Sequence, residues 1–348
     1  MDQGKWNLWR RLFGAPARPA VPAGRPSRAA APEPAAEAAG PAPAEPIRLE
    51  RLADLFHRFV LGLPEDREAG AIREGEQALL RRLQALTERF DVRSLPRLPT
   101  VLPQLLRMLR NDNSAGSQLA ALIGRDPVLV GEVMRVTGSA HYRTAQPIHS
   151  LQHAVVLLGQ EGLRRVATQH VMKPILQASA GMHGHMAGQH LWDHAERCAH
   201  ASAWLGRQLG CEPFEAYLVG MVCHAGTGAV VRLLDQEAPP AAAPYSGPFL
   251  AGAMQLGAQL SLRAAEYWEL PAGVARALTE RAEAATPPAS PLGRALQAAD
   301  ALAMAQLLAE RGRLEPEADL SRLCPDTLNP ALLQRCQQDL RRQFREAA

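Results

Sequence analysis

The segment Leu191–Asp235, LWDHAERCAHASAWLGRQLGCEPFEAYLVGMVCHAGTGAVVRLLD, holds the pattern on which the fold turns. Leu191, His194, Cys198, Ala201, Leu205 and Leu209 recur every three or four residues, so they share one face of a helix expected from His190 to Leu209, with Gly210 placed to stop it. Glu212-Pro213 opens a second helix, because proline at the first helical position gives up an N–H that would go unpaired anyway. That helix carries Ala216, Val219, Met221 and Val222 up to Cys223-His224-Ala225-Gly226, and His194 falls on or near the buried side of the first. Cys223 and His224 do not make a nucleophile and its base, since adjacent helical side chains point away from each other. Gly226-x-Gly228 lacks the preceding strand and third glycine of a dinucleotide loop, so it reads as a turn.

Outward from this segment, the bulk composition sets the class. With 348 residues, 47% of them hydrophobic, there is material for one large or two medium domains. Thirty-eight basic against 35 acidic residues leave a formal charge of +3, too small a field to require nucleic acid as partner, and none is expected. Arg164-Arg165 with Lys173, and Arg341-Arg342 with Arg345, are basic clusters without a nucleic-acid motif. The five cysteines, Cys198, Cys211, Cys223, Cys324 and Cys336, are odd in number and form no C-x-x-C pair, which suits a reducing compartment. No apolar run reaches the roughly 20 residues of a membrane helix. A cytoplasmic protein is expected.

The N-terminal 46 residues differ from the rest. Residues 1–14 place Trp6, Trp9 and Phe13 among Lys5, Arg10 and Arg11, a short basic amphipathic segment suited to docking on a partner or a membrane surface. It lacks the apolar core of a signal peptide. Residues 15–46 are dominated by Pro and Ala and cannot bury enough surface to offset their ordering entropy, so a disordered tether is expected.

Helices follow. In the lead-in, residues 47–93, Leu49, Leu52, Leu55, Phe56 and Phe59 and then Leu79, Leu80, Leu83 and Leu86 have helical spacing. Arg73, Arg81, Arg82 and Arg89 interleave with Glu74, Glu76 and Glu88 as on a solvated face. Thr100 can cap a helix to Leu109, and Ser114 another to Ile123. Asp126-Pro127 starts a helix that Gly138 can end, and Ser150 starts one from Leu151 that Gly159 stops or kinks before the next, Glu161 to Ala178. A loop is expected over 181–186, and helices over 251–269, 272–284, from Ser290-Pro291 through Asp300, over 315–323 and over 330–344. The fold class is all-α.

Leu95-Pro96-x-Leu98-Pro99, Leu122-Ile123 with Asp126-Pro127-Val128-Leu129, Ser139-Ala140 with Tyr142, and Ile148-x-Ser150-Leu151 leading to Leu157-Leu158-Gly159 resemble, in this order, the first half of the HDOD domain, an HD-related output domain of bacterial signalling proteins. The resemblance spans about 94–312, with an N-terminal helical half at 94–180 and an HD-like half at 190–312, and leaves 313–348 as a helical tail. It implies an HD-like multi-helix bundle that acts in signal transduction and carries no known hydrolytic activity.

The resemblance also implies the site. HD phosphohydrolases hold a metal with one His, a His-Asp pair and a later Asp; the matching positions are His194, His224-Ala225 and Asp300 within Ala298-Ala299-Asp300-Ala301-Leu302. A methyl group cannot bind a metal, so Ala225 breaks the set. Trp268-Glu269-Leu270-Pro271 keeps the family's W-x-L-P element, but Leu256-Gly257-Ala258 before it and Thr279-Glu280-Arg281-Ala282 after it lack the histidines common there. A complete site needs both its ligands and their supporting partners. The expectation is a non-enzymatic regulatory module with a vestigial cleft, no cofactor, no bound metal and signalling proteins as partners. Two alternatives stay open: a metal-dependent phosphodiesterase acting on a cyclic dinucleotide, and a nucleotide sensor without turnover.

Overall fold

A computed structural model of the chain describes residues 47–65, 70–91, 116–138, 150–177, 184–237, 245–283, 286–315 and 328–345, with the single positions 318, 320 and 323. The segment 1–14 with Trp6, Trp9, Arg10, Arg11 and Phe13, the tether 15–46, the Leu95–Pro99 element, the helix from Thr100 and the stretch Ser139 to Ile148 lie outside the described residues. Among the described residues every regular element is an α-helix: α1 (Leu49–Val60), α2 (Glu74–Arg89), α3 (Gly116–Ile123), α4 (Pro127–Thr137), α5 (Leu151–Gln177), α6 (Gly184–Gln208), α7 (Pro213–Val222), α8 (Thr227–Glu237), α9 (Gly247–Tyr267), α10 (Ala272–Ala282), α11 (Pro291–Glu310) and α12 (Pro330–Arg345).

Several boundaries follow from capping chemistry visible in the sequence. Asp126 Oδ1 accepts from the Leu129 N–H at 3.1 Å, Ser150 Oγ from His153 at 3.1 Å and Ser290 Oγ from Gly293 at 2.9 Å, each satisfying an N–H that the first helical turn leaves without a partner. Gly159, at φ 62° and ψ −177°, breaks α5 into two pieces where the stop or kink was expected. Other expectations fail. The loop expected over 181–186 is helical from Gly184 on, because the extra first turns of α6 dock on the end of α5: Ala187 is buried, and a side chain at Gly188 would meet the Gln177 Cα at 3.0 Å. The helix expected over 315–323 is absent at its described positions 315, 318, 320 and 323; Gly312, at φ 64°, ends α11, and buried Leu320, Leu323 and Leu328 pin the following segment to the core.

The core lies where α6, α7 and α11 meet. α11 is buried almost throughout, and its Ala295, Ala298, Ala299, Ala301 and Ala303 let neighbouring helices come close around Asp300. The apolar stretch Pro213–Glu237 is by length and composition able to cross a membrane, yet it is mostly buried inside this core and is divided by the turn 223–226. That turn needs Gly226, whose missing side chain would overlap Leu260 Cβ and Ser261 N, each at 2.5 Å.

The lead-in helices are woven into the same core. α1 packs on α11, α9 and α6 through Leu52 and Phe56, both fully buried, and α2 packs on α9 and α8. Arg58 holds Asp54 and donates from Nη2 to the Tyr245 carbonyl at 3.0 Å. Glu76 is not part of a solvated face: it is buried, and its carboxylate accepts from the Ser246 N–H at 2.8 Å and hydroxyl at 2.7 Å. Those contacts, with Arg73, draw its pKa down to about 2 against the opposing effect of burial. One carboxylate thus ties the start of α2 to the start of α9.

Candidate functional site

The four positions matched to the HD pattern are brought to one place. α6 supplies His194, the turn after α7 supplies His224 and Ala225, and α11 supplies Asp300; their exposures are 0%, 2%, 2% and 8%. The Asp300 Oδ1 lies 3.1 Å from His194 Nε2 and 3.0 Å from His224 Nε2. The two imidazoles meet edge to face with centroids 4.7 Å apart. His224 Nδ1 is 3.2 Å from Thr227 Oγ1, whereas His194 Nδ1 is buried without a hydrogen-bond partner.

Three further residues complete the site, and the sequence assigned none of them to it. Arg281, from the last turn of α10, reaches Asp300 Oδ2 with Nε at 3.2 Å and Nη2 at 3.1 Å, and the same Nη2 lies 3.1 Å from His224 Nε2. Phe56 of α1 packs its ring 4.7 Å from that of His194. His57, next to it, lines a cavity of about 270 Å³ together with Leu49, Met254, Arg281, Asp300 and Met304. Arg281 lies in Thr279-Glu280-Arg281-Ala282, the segment that lacks the family's histidines, but nothing local separates it from Arg276 or Arg294. Only the packing of α10 on α11 shows where it points.

The electrostatics follow from burial and from this one cation. Desolvation pushes the His224 pKa down to about 4, and Arg281 adds to the effect. His57 is pushed to about 3 by burial, with His224 the next cause. Both imidazoles are therefore neutral near pH 7. Burial opposes the charge on Asp300, but Arg281 and His224 outweigh it and hold the carboxyl well below the usual carboxylate range. Behind the histidines lie two buried thiols, Cys198 and Cys223, with sulfurs 3.9 Å apart. Burial, reinforced by the neighbouring Cys223, raises the Cys198 thiol well above its ordinary value.

A divalent ion, which the HD pattern implies, does not fit these residues. Ala225 offers a methyl in place of a carboxylate. Both oxygens of Asp300 are engaged, Oδ1 by the two histidines and Oδ2 by the guanidinium, so an added cation would stand against Arg281. His194 also lacks the partner on its second nitrogen that orients metal-bound histidines.

A family model described as HDOD domain matches residues 95–284. The structure is similar to that of an HDOD domain protein of unknown function from Geobacter sulfurreducens, with 18% identity and a TM-score of 0.53 over 78% of this chain and 95% of that one. It is also similar to a presumptive metal-dependent phosphohydrolase from Shewanella amazonensis SB2B, with 19% identity and a TM-score of 0.52 over 78% of this chain and 100% of that one. At such identities the likeness is one of fold, and it makes the helical body HD-like. An uncharacterized protein of Treponema pallidum (strain Nichols) is 23% identical over 144 residues; the match covers 41% of this chain and 27% of that relative, so it spans about a quarter of the relative's length.

Proposed function

This chain belongs to the HDOD domain family, and from that premise we propose that it is a non-catalytic signal-transduction module that works by docking other proteins. The observation that carries the reading is the Arg281–Asp300 pair beside His224-Ala225. Hydrolysis of a phosphodiester at an HD site needs an open cation that polarises the ester and activates water. Here the cation is a guanidinium, which has no vacant coordination position and no water to ionise. Of the remaining donors, His224 is held neutral by burial, and both oxygens of the one carboxylate are engaged.

The partners are signalling proteins, met by the helical body and by the 1–14 segment, where Trp6, Trp9 and Phe13 with Arg10 and Arg11 supply aromatic and cationic anchors. Residues 15–46 act as the tether that lets this segment reach a partner or a membrane surface. The module works in the cytoplasm, in keeping with the free thiols Cys198, Cys211, Cys223 and Cys336. The test is incubation of the full-length chain with cyclic dinucleotides in the presence of manganese, iron(II) or magnesium. No product is expected. Turnover that disappears in His224→Ala would sink the reading.

A second reading, ligand sensing without turnover, has one observation in its favour: the cavity of about 270 Å³ bordered by His57, Arg281 and Asp300. A nucleotide that binds only the native state must raise the melting temperature, so a thermal-shift screen separates sensing from docking alone.

A further inference from the structure

Deepening the sensing reading, and resting on it, we propose that the cavity between α1, α9 and α11 binds an uncharged adenine-type ring, as the free base or its nucleoside, and that the bound ring fastens α1 to the helical body. A mainly apolar chamber whose neutral polar groups lack partners in the protein carries the inference.

The volume sets the size of the occupant. About 270 Å³ lies below the ~300 Å³ at which pockets for drug-sized ligands begin. A fused ring with a sugar is of that size, whereas a cyclic dinucleotide, with its two bases and two phosphates, is too large. Buried Met254, Ala258, Leu296 and Met304 supply apolar walls, and Leu49 and Ala53 of α1 add to them. Thioethers make favourable contacts with aromatic rings, so two methionines in one lining suit a flat heteroaromatic guest.

The polar groups specify the ring. Among the described residues, His57 and the Gln297 amide make no hydrogen bond, and neither does Arg281 Nη1; all three residues line the cavity. Donors and acceptors left unclaimed in an apolar chamber are costly until a ligand or water meets them. A primary amide places an acceptor beside a donor, which pairs at two points with the amino group and N7 of adenine. Guanine offers two acceptors along that edge and does not match. Gln255, whose Nε2 donates to the Ala282 carbonyl, keeps its Oε1 as a further acceptor, and neutral His57 presents one donor and one acceptor.

Charge argues against a phosphate. Arg281 commits Nε and Nη2 to Asp300 Oδ2. Glu280, also in the lining, is held by the Ser290 N–H at 3.0 Å and hydroxyl at 2.7 Å, and Arg276, 3.6 Å from it, does not line the cavity. Two carboxylates against one guanidinium leave the lining negative. Because α1 supplies Leu49, Ala53 and His57, a ring held there is shared between α1 and the helices α9 and α11. Binding therefore restrains the helix that follows the Pro/Ala stretch in the chain, which gives the ligand a route to an output.

Full-length wild type, Gln297→Leu and Ala53→Phe are titrated calorimetrically with adenine, adenosine, adenosine monophosphate, guanosine and a cyclic dinucleotide. Adenine or adenosine should bind wild type at about one ring per chain, raise its melting temperature and slow amide exchange in α1. Guanosine should bind about tenfold more weakly, and Gln297→Leu should weaken adenine or adenosine by about the same factor. Ala53→Phe, which fills the cavity from α1, should abolish binding; if it does not fold, Gln297→Leu decides. Failure of both adenine and adenosine to bind at millimolar concentration overturns the proposal, as does binding that Gln297→Leu leaves unchanged. A phosphate-bearing ligand bound more tightly than adenosine also overturns it but leaves the sensing reading standing. Silence from this set and from the thermal-shift screen removes both.

Discussion

At Asp300 a single carboxylate meets two imidazoles and a guanidinium in a space that excludes most water. A buried ion pair of this kind contributes little net stability compared with apolar packing, but losing one partner leaves an uncompensated charge. The adjacent histidines make the protein acid-sensitive in a definite window. His224 and His57 have folded-state values of about 4 and about 3, below the ~6.5 of an exposed imidazole. A group whose pKa is lowered by folding is taken up neutral, so its contribution is fully present above pH ~6.5 and is lost as pH falls toward the folded value, by up to ~1.4 kcal/mol per pH unit for each group. Asp300 adds its own loss only below pH ~4, where the unfolded carboxylate begins to bind protons. The melting temperature should therefore drop between pH 6.5 and 4 at constant ionic strength, and His57→Gln/His224→Gln should flatten that drop. An unchanged slope in the double variant would assign the acid lability elsewhere.

At the scale of elements, α1 has a role that its sequence did not announce. Its amphipathic spacing was plain, but the side chain that matters most, Phe56, looks like any other apolar residue of that face. In the structure Phe56 is fully buried, packs its tilted ring against His194 and lies 6.0 Å from the His224 ring, so a helix N-terminal to the family match forms a wall of the HD-like site. Phe56→Ala removes a buried aromatic and opens a cavity against the two imidazoles, at a cost of about 3–5 kcal/mol. Urea denaturation of the full-length variant measures it. A loss below ~1 kcal/mol would mean that α1 is only loosely seated on the bundle. The same mutant should also show a larger pH-dependent change in the His224 ring resonances, because burial is what lowers its pKa and water gains access to it.

At the scale of the whole molecule, the Pro/Ala composition of residues 15–46 and the aromatic-basic segment before it predict a part separable from the helical body. Deleting residues 1–46 should leave the melting temperature within about 2 °C of the full-length value while abolishing recruitment to the partner. A truncated protein that fails to fold would end the tether reading. The sequence by itself determined the helical class and most helix starts, because capping and periodicity are local properties carried by neighbours along the chain, whereas the gathering of His194, His224, Ala225 and Asp300 was implied by the resemblance to the HD pattern. It could not determine that α6 begins at Gly184, that Glu76 is buried, or that Phe56, His57 and Arg281 enclose the site. Arg281 and Asp300 are linked across separate helices, and His57 comes from α1 at the other end of the described chain. Their meeting is fixed by how helices pack, and packing is decided by the sum of buried surfaces over the whole bundle rather than by any stretch of sequence.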